Sequence, residues 1–103
     1  MKTTYTPPEK VTSPKLRWAL IDVLDNGSGK AIAPGVSIAL GRWDHEPRLA
    51  MRWNGNEDNP LGNPQSRGLP TWFILPPGKV TEAMVGLLPA EKATLTRNFI
   101  PEP

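Results

Sequence analysis

The chain has 103 residues, a formal net charge of +2 at pH 7 and no cysteine. This length fits one small domain, and the lack of cysteine excludes disulfides and thiolate metal sites. No apolar run approaches the roughly 20 residues that span a bilayer, and the first residues lack the apolar segment of a secretory signal. We therefore expect a cytoplasmic protein with no membrane contact.

The chain opens with a stretch rich in Thr, Pro and Lys, and we expect residues 1–15 to form a flexible arm. Residues 16–24 are rich in β-branched and aromatic side chains, which predicts a first strand. Both faces of that strand are partly apolar, so the sequence leaves its register open. Residues 25–29 give a strong turn signal, and the loop continues to residue 35.

The most informative segments are residues 36–43 and 48–53, which alternate apolar and polar residues with a period of two. This alternation indicates two strands, each with one buried face. A turn of four residues at 44–47 would place Trp43 opposite Arg48. The two strands then agree on which face is apolar, which specifies the register.

On this register the two faces of the hairpin differ in chemistry. Met51 and Trp53 point into the core, whereas Trp43, Arg48 and Arg52 stand around a floor of small residues on the outer face. An aromatic ring beside guanidinium groups suits single-stranded nucleic acid, because bases stack on the ring while arginines hold phosphates. An ordinary solvated face with two arginines explains the same pattern, and the hairpin alone does not decide between them.

After the hairpin, residues 54–70 form a long polar connection, which suggests a functional or partner-bound loop. Residues 71–75 predict a fourth strand. Residues 77–88 predict a helix, because apolar residues recur there on one stripe. We expect residues 89–103 to form a tail, and the pattern at residues 93–96 leaves a short strand there as an alternative. The residues of the helical stripe are Val80, Met84, Leu87 and Leu88.

Together these elements predict an α+β fold: a four-stranded antiparallel curved sheet followed by one amphipathic helix. The single domain spans residues 16–88, between flexible arms at 1–15 and 89–103. One helix, about 10 Å across, is narrower than a sheet of four strands spaced about 4.8 Å apart. Residues such as Trp18 or Ile38 would then stay partly exposed, and we expect a homodimer that covers them.

Two short motifs carry a resemblance to a known family. Residues 47–53 read Pro-Arg-Leu-Ala-Met-Arg-Trp, and residues 67–69 read Arg-Gly-Leu. They resemble motifs of the positive-cofactor-four family of transcriptional coactivators, especially its small bacterial members that bind single-stranded DNA. Over residues 16–88 the resemblance implies a helix on a curved sheet, dimerisation and binding of single strands with little sequence preference. The chain departs from the family in a longer segment after Gly68 and in a helix start of Pro-Pro-Gly-Lys.

The resemblance transfers the family's basic positions to Arg48 and Arg52, and its phosphate-contacting lysine to Arg67. The hairpin adds Trp43 as a stacking residue and Lys30 as a further cation. We therefore expect single-stranded DNA as the partner in transcription, replication or recombination, with RNA left open.

Other classes of function have less support. Asp44, His45 and Glu46 lie together in an exposed turn, which offers no desolvated pocket for catalysis and too few ligands for a metal. We expect no enzyme, no cofactor and no metal. The alternative is a protein-interaction module that uses the 54–70 connection and the proline-rich ends. Salt separates the two, since only nucleic-acid binding requires neutralised phosphates.

Overall fold

Two long strands joined by a tight turn form the centre of the molecule in a computed structural model, which describes residues 6–28 and 32–100. In chain order the elements are a 3-10 helix Pro8–Lys10, β1 Trp18–Asp25, β2 Val36–Trp43, β3 Glu46–Trp53, β4 Gln65–Ser66, β5 Leu69–Pro70, β6 Phe73–Ile74, α1 Lys79–Val85 and α2 Ala90–Phe99. One antiparallel sheet has the strand order β1-β2-β3-β6, and β4 pairs with β5 in a separate ribbon. The α+β class and the four-stranded antiparallel sheet are thus confirmed.

The turn between β2 and β3 has two residues rather than the four predicted. Asp44 and His45 adopt φ angles of 50° and 74°, the left-handed geometry of the tight hairpin turns whose twist matches the strands. Trp43 therefore pairs with Glu46, and its predicted pairing with Arg48 is wrong by two residues. An even shift leaves every side chain on its predicted side of the sheet.

Two helices, not one, cover one face of the sheet. The predicted stripe is only half right: Met84 and Leu88 are buried, whereas Val80 and Leu87 are exposed. Val85, which the stripe left out, is buried on α1. The predicted C-terminal tail is wrong over residues 90–99, where α2 packs against the sheet. Its pattern was hidden by Thr96, a polar residue that is buried because its hydroxyl donates to the Lys92 carbonyl at 2.8 Å. The helix-side core consists of Leu24, Ile38, Leu40, Leu49, Leu75, Met84, Val85, Leu88, Ala93 and Ile100.

The opposite face, predicted to be open, is also covered. The segment before β1 crosses it, and Val11 is fully buried. The indole Nε1 of Trp72 donates to the Val11 carbonyl at 2.6 Å, which anchors this segment to the sheet. The prediction of a flexible arm is therefore wrong over residues 6–15. The arm-side core consists of Val11, Trp18, Ala39, Ala50 and Trp72.

Strand β1 contributes to both cores. Its pairing with β2 shifts register twice within residues 20–25, and such bulges re-aim the side chains that follow. Trp18 therefore lies in the arm-side core, whereas Leu24 lies in the helix-side core. A Cβ atom at Gly41 would lie 2.4 Å from the Trp18 ring, so this close approach requires glycine.

The exposed apolar side chains of the sheet are not those expected. Trp18 is 3% exposed and Ile38 is fully buried within one chain, so the coverage argument for a homodimer fails for both. Trp53, predicted to be core, is 59% exposed, and Phe73 is 57% exposed. The helix-side core takes in Met51 only at its margin and does not extend to Trp53. None of the helices in the described ranges is long and apolar enough to cross a membrane.

Candidate nucleic-acid interface

Arg52, predicted to contact phosphate from the surface, lies in the interior. Its side chain is 2% exposed, and its guanidinium donates to the carbonyl oxygens of Leu61, Pro64 and Thr71. Burial lowers the pKa of Arg52, although an arginine stays charged at neutral pH. The predicted surface position is wrong. Arg52 instead fastens the 54–70 connection to β3.

Trp43 and Arg67, both predicted from sequence, line one cleft. The ribbon β4–β5 turns at Arg67 and Gly68, whose φ angles are 53° and 79°, a left-handed pair typical of tight hairpins. This turn places Arg67 at the surface, where it lines the same cleft as Trp43. The cleft has a volume of about 540 Å³, within the range of about 300–1,000 Å³ that ligand sites occupy.

The charges around this cleft are positive. Lys15, from the segment before β1, lines it together with Arg67, and no acidic side chain of the described residues does so. In the part of the chain that the structure describes, neither cation forms a salt bridge. Two uncompensated cations beside a concave surface favour an anionic ligand.

The remaining lining combines apolar floor and hydroxyl groups. Trp72 and Leu69 contribute apolar surface next to Trp43. Each hydroxyl can donate one hydrogen bond and accept others, which suits the mixed donors and acceptors of a nucleotide. The hydroxyl-bearing residues of the lining are Ser13, Ser66 and Thr71.

Arg17, which the sequence did not single out, packs on the ring of Trp43. Its guanidinium carbon lies 4.4 Å from the centre of the indole, a cation–π contact. Arg17 Nε and Nη2 donate to Asp44 Oδ1 and Oδ2 at 3.0 and 2.5 Å. These hydrogen bonds raise the pKa of Arg17 and lower the pKa of Asp44. The only signal in the sequence is a second basic residue, Lys15, two positions before Arg17.

The other predicted residues do not join the cleft. Arg48 is partly buried, and its guanidinium donates to the adjacent Pro47 carbonyl at 2.7 Å. It does not line the cleft. Lys30 lies outside the described residues.

A second concave surface lies beside the 54–70 connection, and we call it the aromatic groove. Its walls include the two exposed aromatic side chains, Trp53 and Phe73, and its volume is about 370 Å³. Asn63 and Pro64 supply the side that belongs to the connection. The groove is apolar and carries no charge other than that of the buried Arg52.

The cleft and the aromatic groove differ in the side chains that they offer to a ligand. Within residues 6–28 and 32–100, no three His, Asp or Glu side chains lie together in a group that could hold a metal ion. The cleft presents two indole side chains, two cations without a salt bridge in the described ranges and three hydroxyls, whereas the groove presents mainly apolar side chains together with Asn63 and the buried Arg52. Comparisons with family models, with curated proteins and with solved structures found no match.

Proposed function

We propose that the chain is a cytoplasmic binding protein, not an enzyme, and that its cleft takes single-stranded nucleic acid. The observation that supports this most is the convergence of Trp43, Lys15 and Arg67 from three separate parts of the chain. A base stacks on the indole while the two cations neutralise neighbouring phosphates. The resemblance to the positive-cofactor-four family adds a role in transcription, replication or recombination to the proposal.

An indole in the lining of the cleft supports single strands over duplex as the ligand. Stacking on Trp43 requires the face of a base, and paired bases in a duplex present only their edges. Stacking also depends little on which base is present, because every base has a π-face. We therefore expect binding with little sequence preference.

The test is a titration of a labelled oligonucleotide of mixed sequence over a range of salt concentrations. Each phosphate neutralised on a single strand contributes about −0.7 to the log–log salt slope. Lys15→Gln and Arg67→Gln should each flatten that slope by about 0.7 and together by about 1.4. Arg97→Gln is the matched control, because Arg97 is exposed on α2, on the other side of the sheet. An absence of binding at low salt contradicts the proposal.

The exposed aromatic groove supports a second proposal, a protein-interaction surface. Trp53 and Phe73 leave apolar area open to water, and contiguous apolar surface of this kind marks interaction sites. Asn63 and Pro64 connect it to the 54–70 connection, which the sequence associated with docking. A homodimer is the simplest occupant, now proposed at this groove.

Self-association is measured by light scattering over micromolar concentrations. We expect a mass that rises toward a dimer in the wild type and stays monomeric in a Trp53→Ser, Phe73→Ser double variant. Because the groove is apolar, this association should change little with salt, in contrast to oligonucleotide binding. A monomeric wild type contradicts the homodimer.

A further inference from the structure

We propose that Arg17 is a positioning residue, which fixes the Trp43 indole so that one of its faces is offered to a base. The inference rests on the proposed function of the cleft. It assigns a role to a cation that is exposed and adjacent to the cleft, yet does not line it.

The geometry restrains both side chains. The Arg17 guanidinium lies over Trp43 at 4.4 Å from the ring centre. Its orientation is set by the two hydrogen bonds to Asp44, at 3.0 and 2.5 Å. The backbone reinforces this arrangement, because the Asp44 N–H donates to the Arg17 carbonyl at 2.8 Å. Hydrogen bonds between Arg17 and Asp44 therefore connect the residue before β1 to the hairpin turn, next to the Trp43 indole.

The charge of Arg17 is already compensated. Its bidentate pair with Asp44 occupies the Nε and Nη2 donors and places a carboxylate beside the cation. Lys15 and Arg67 have no such partner in the described ranges. Arg17 therefore contributes little to phosphate neutralisation, and its effect on binding acts through Trp43.

Stacking on Trp43 is one-sided as a result. The Arg17 guanidinium lies over the Trp43 ring, and Trp43 lines the cleft whereas Arg17 does not. A base that stacks on Trp43 from the cleft would then use the ring face that Arg17 leaves free. Trp43 then accepts a single base and does not insert between two.

The experiment compares Arg17→Lys with Arg17→Gln in the oligonucleotide titration. Lysine keeps the charge but cannot form a planar bidentate pair or stack as a guanidinium does. For a positioning residue, both variants should bind about two- to fivefold more weakly, the range expected from loss of an exposed cation–π contact. Both should keep the wild-type salt slope. Lys15→Gln is the control that flattens the slope by about 0.7.

Two outcomes of the titration overturn the inference. If Arg17→Lys binds like the wild type while Arg17→Gln flattens the slope by about 0.7, then Arg17 is a phosphate ligand. If both variants bind like the wild type, Arg17 has no role in the site. Since the pair is exposed, both variants should fold, and far-UV circular dichroism checks this.

A second readout does not depend on binding. In protein labelled with 5-fluorotryptophan, the fluorine resonance that disappears in Trp43→Phe belongs to Trp43. Arg17→Gln should shift and sharpen this resonance, because the ring gains mobility, and Asp44→Asn should do the same. An unchanged resonance in both variants overturns the inference. A wild type that binds no oligonucleotide but shows these shifts contradicts only the proposed function.

Discussion

Replacing Arg52 by methionine tests whether the buried guanidinium holds the 54–70 connection on β3. Methionine keeps much of the length and the apolar stem but removes the guanidinium, which donates to the carbonyl oxygens of Leu61, Pro64 and Thr71. These acceptors belong to the 54–70 connection and the segment after it. The substitution therefore leaves buried carbonyl groups without their donor.

The expected loss of stability is about 2–4 kcal/mol. A hydrogen bond to a charged group contributes about 1.5–3 kcal/mol, and the guanidinium makes three such contacts. Part of that sum is offset, because the variant no longer buries a charge that loses its hydration. For a domain of this size the loss corresponds to a fall in the melting temperature of about 10 °C or more.

Urea unfolding followed by tryptophan fluorescence measures the loss, and hydrogen exchange locates it. Amides of residues 61–71 should lose protection before those of β2 and β3. Arg48→Met is the matched control on the same strand and the same face, and it should cost no more than about 0.5 kcal/mol. If Arg52→Met and Arg48→Met differ by less than about 0.5 kcal/mol, the three carbonyl contacts do not stabilise the connection.

Burial, backbone geometry and the Arg17–Asp44 ion pair each give one further prediction. Trp72→Ala should destabilise the fold by about 3–5 kcal/mol, whereas Trp53→Ala should cost only about 1–2 kcal/mol, because Trp72 is 5% and Trp53 59% exposed; equal urea midpoints for the two variants contradict this ranking. Gly62→Ala should lower the free energy of unfolding by at least about 2 kcal/mol, since residue 62 has a φ of 68° and a Cβ atom would lie 2.2 Å from the Trp53 carbonyl oxygen. A variant as stable as the wild type would show that position 62 has room for a side chain. The pKa of Asp44 should rise toward 3.8 in Arg17→Gln, measured by NMR titration of the carboxyl carbon. Because Arg17 lowers the folded-state pKa of Asp44, the ion pair stabilises the fold at pH values above the ordinary pKa of aspartate. This stabilisation is lost as the pH falls through the lowered pKa of Asp44. If the NMR titration curve of Asp44 is the same in Arg17→Gln and in the wild type, the ion pair does not form in solution.

Sequence reasoning found the strands best where one periodic pattern runs over many residues. The alternation in β2 and β3 gave both strands and the sorting of side chains between the two faces of the sheet. It did not show that both faces are buried. The sequence favours Ala39 and Ala50 as the floor of an open surface, whereas both are fully buried in the arm-side core with Val11 and Trp72. Small residues on a strand fit either situation, and only long-range packing separates the two.

The candidate site was predicted in part. Trp43 and Arg67 were identified from sequence and line the same cleft. Lys15 was missed because a proline-rich segment shows no pattern that predicts packing against a distant ribbon. Arg52 was misplaced for a different reason. Its partners are backbone carbonyl oxygens, and backbone acceptors leave no trace in the residue types around them.

The cleft is assembled largely from two segments that lie outside the four-stranded sheet. Lys15 precedes β1, whereas Arg67 belongs to the ribbon β4–β5, and the two segments meet at the bridge between Ser13 and Thr71. A nucleic-acid strand bound to both Lys15 and Arg67 would cross-link the two segments that carry these residues. Ligand binding would then raise, by mass action, the free energy of local unfolding of these two segments. The segment before β1 and the ribbon β4–β5 would therefore become more ordered as the cleft is occupied.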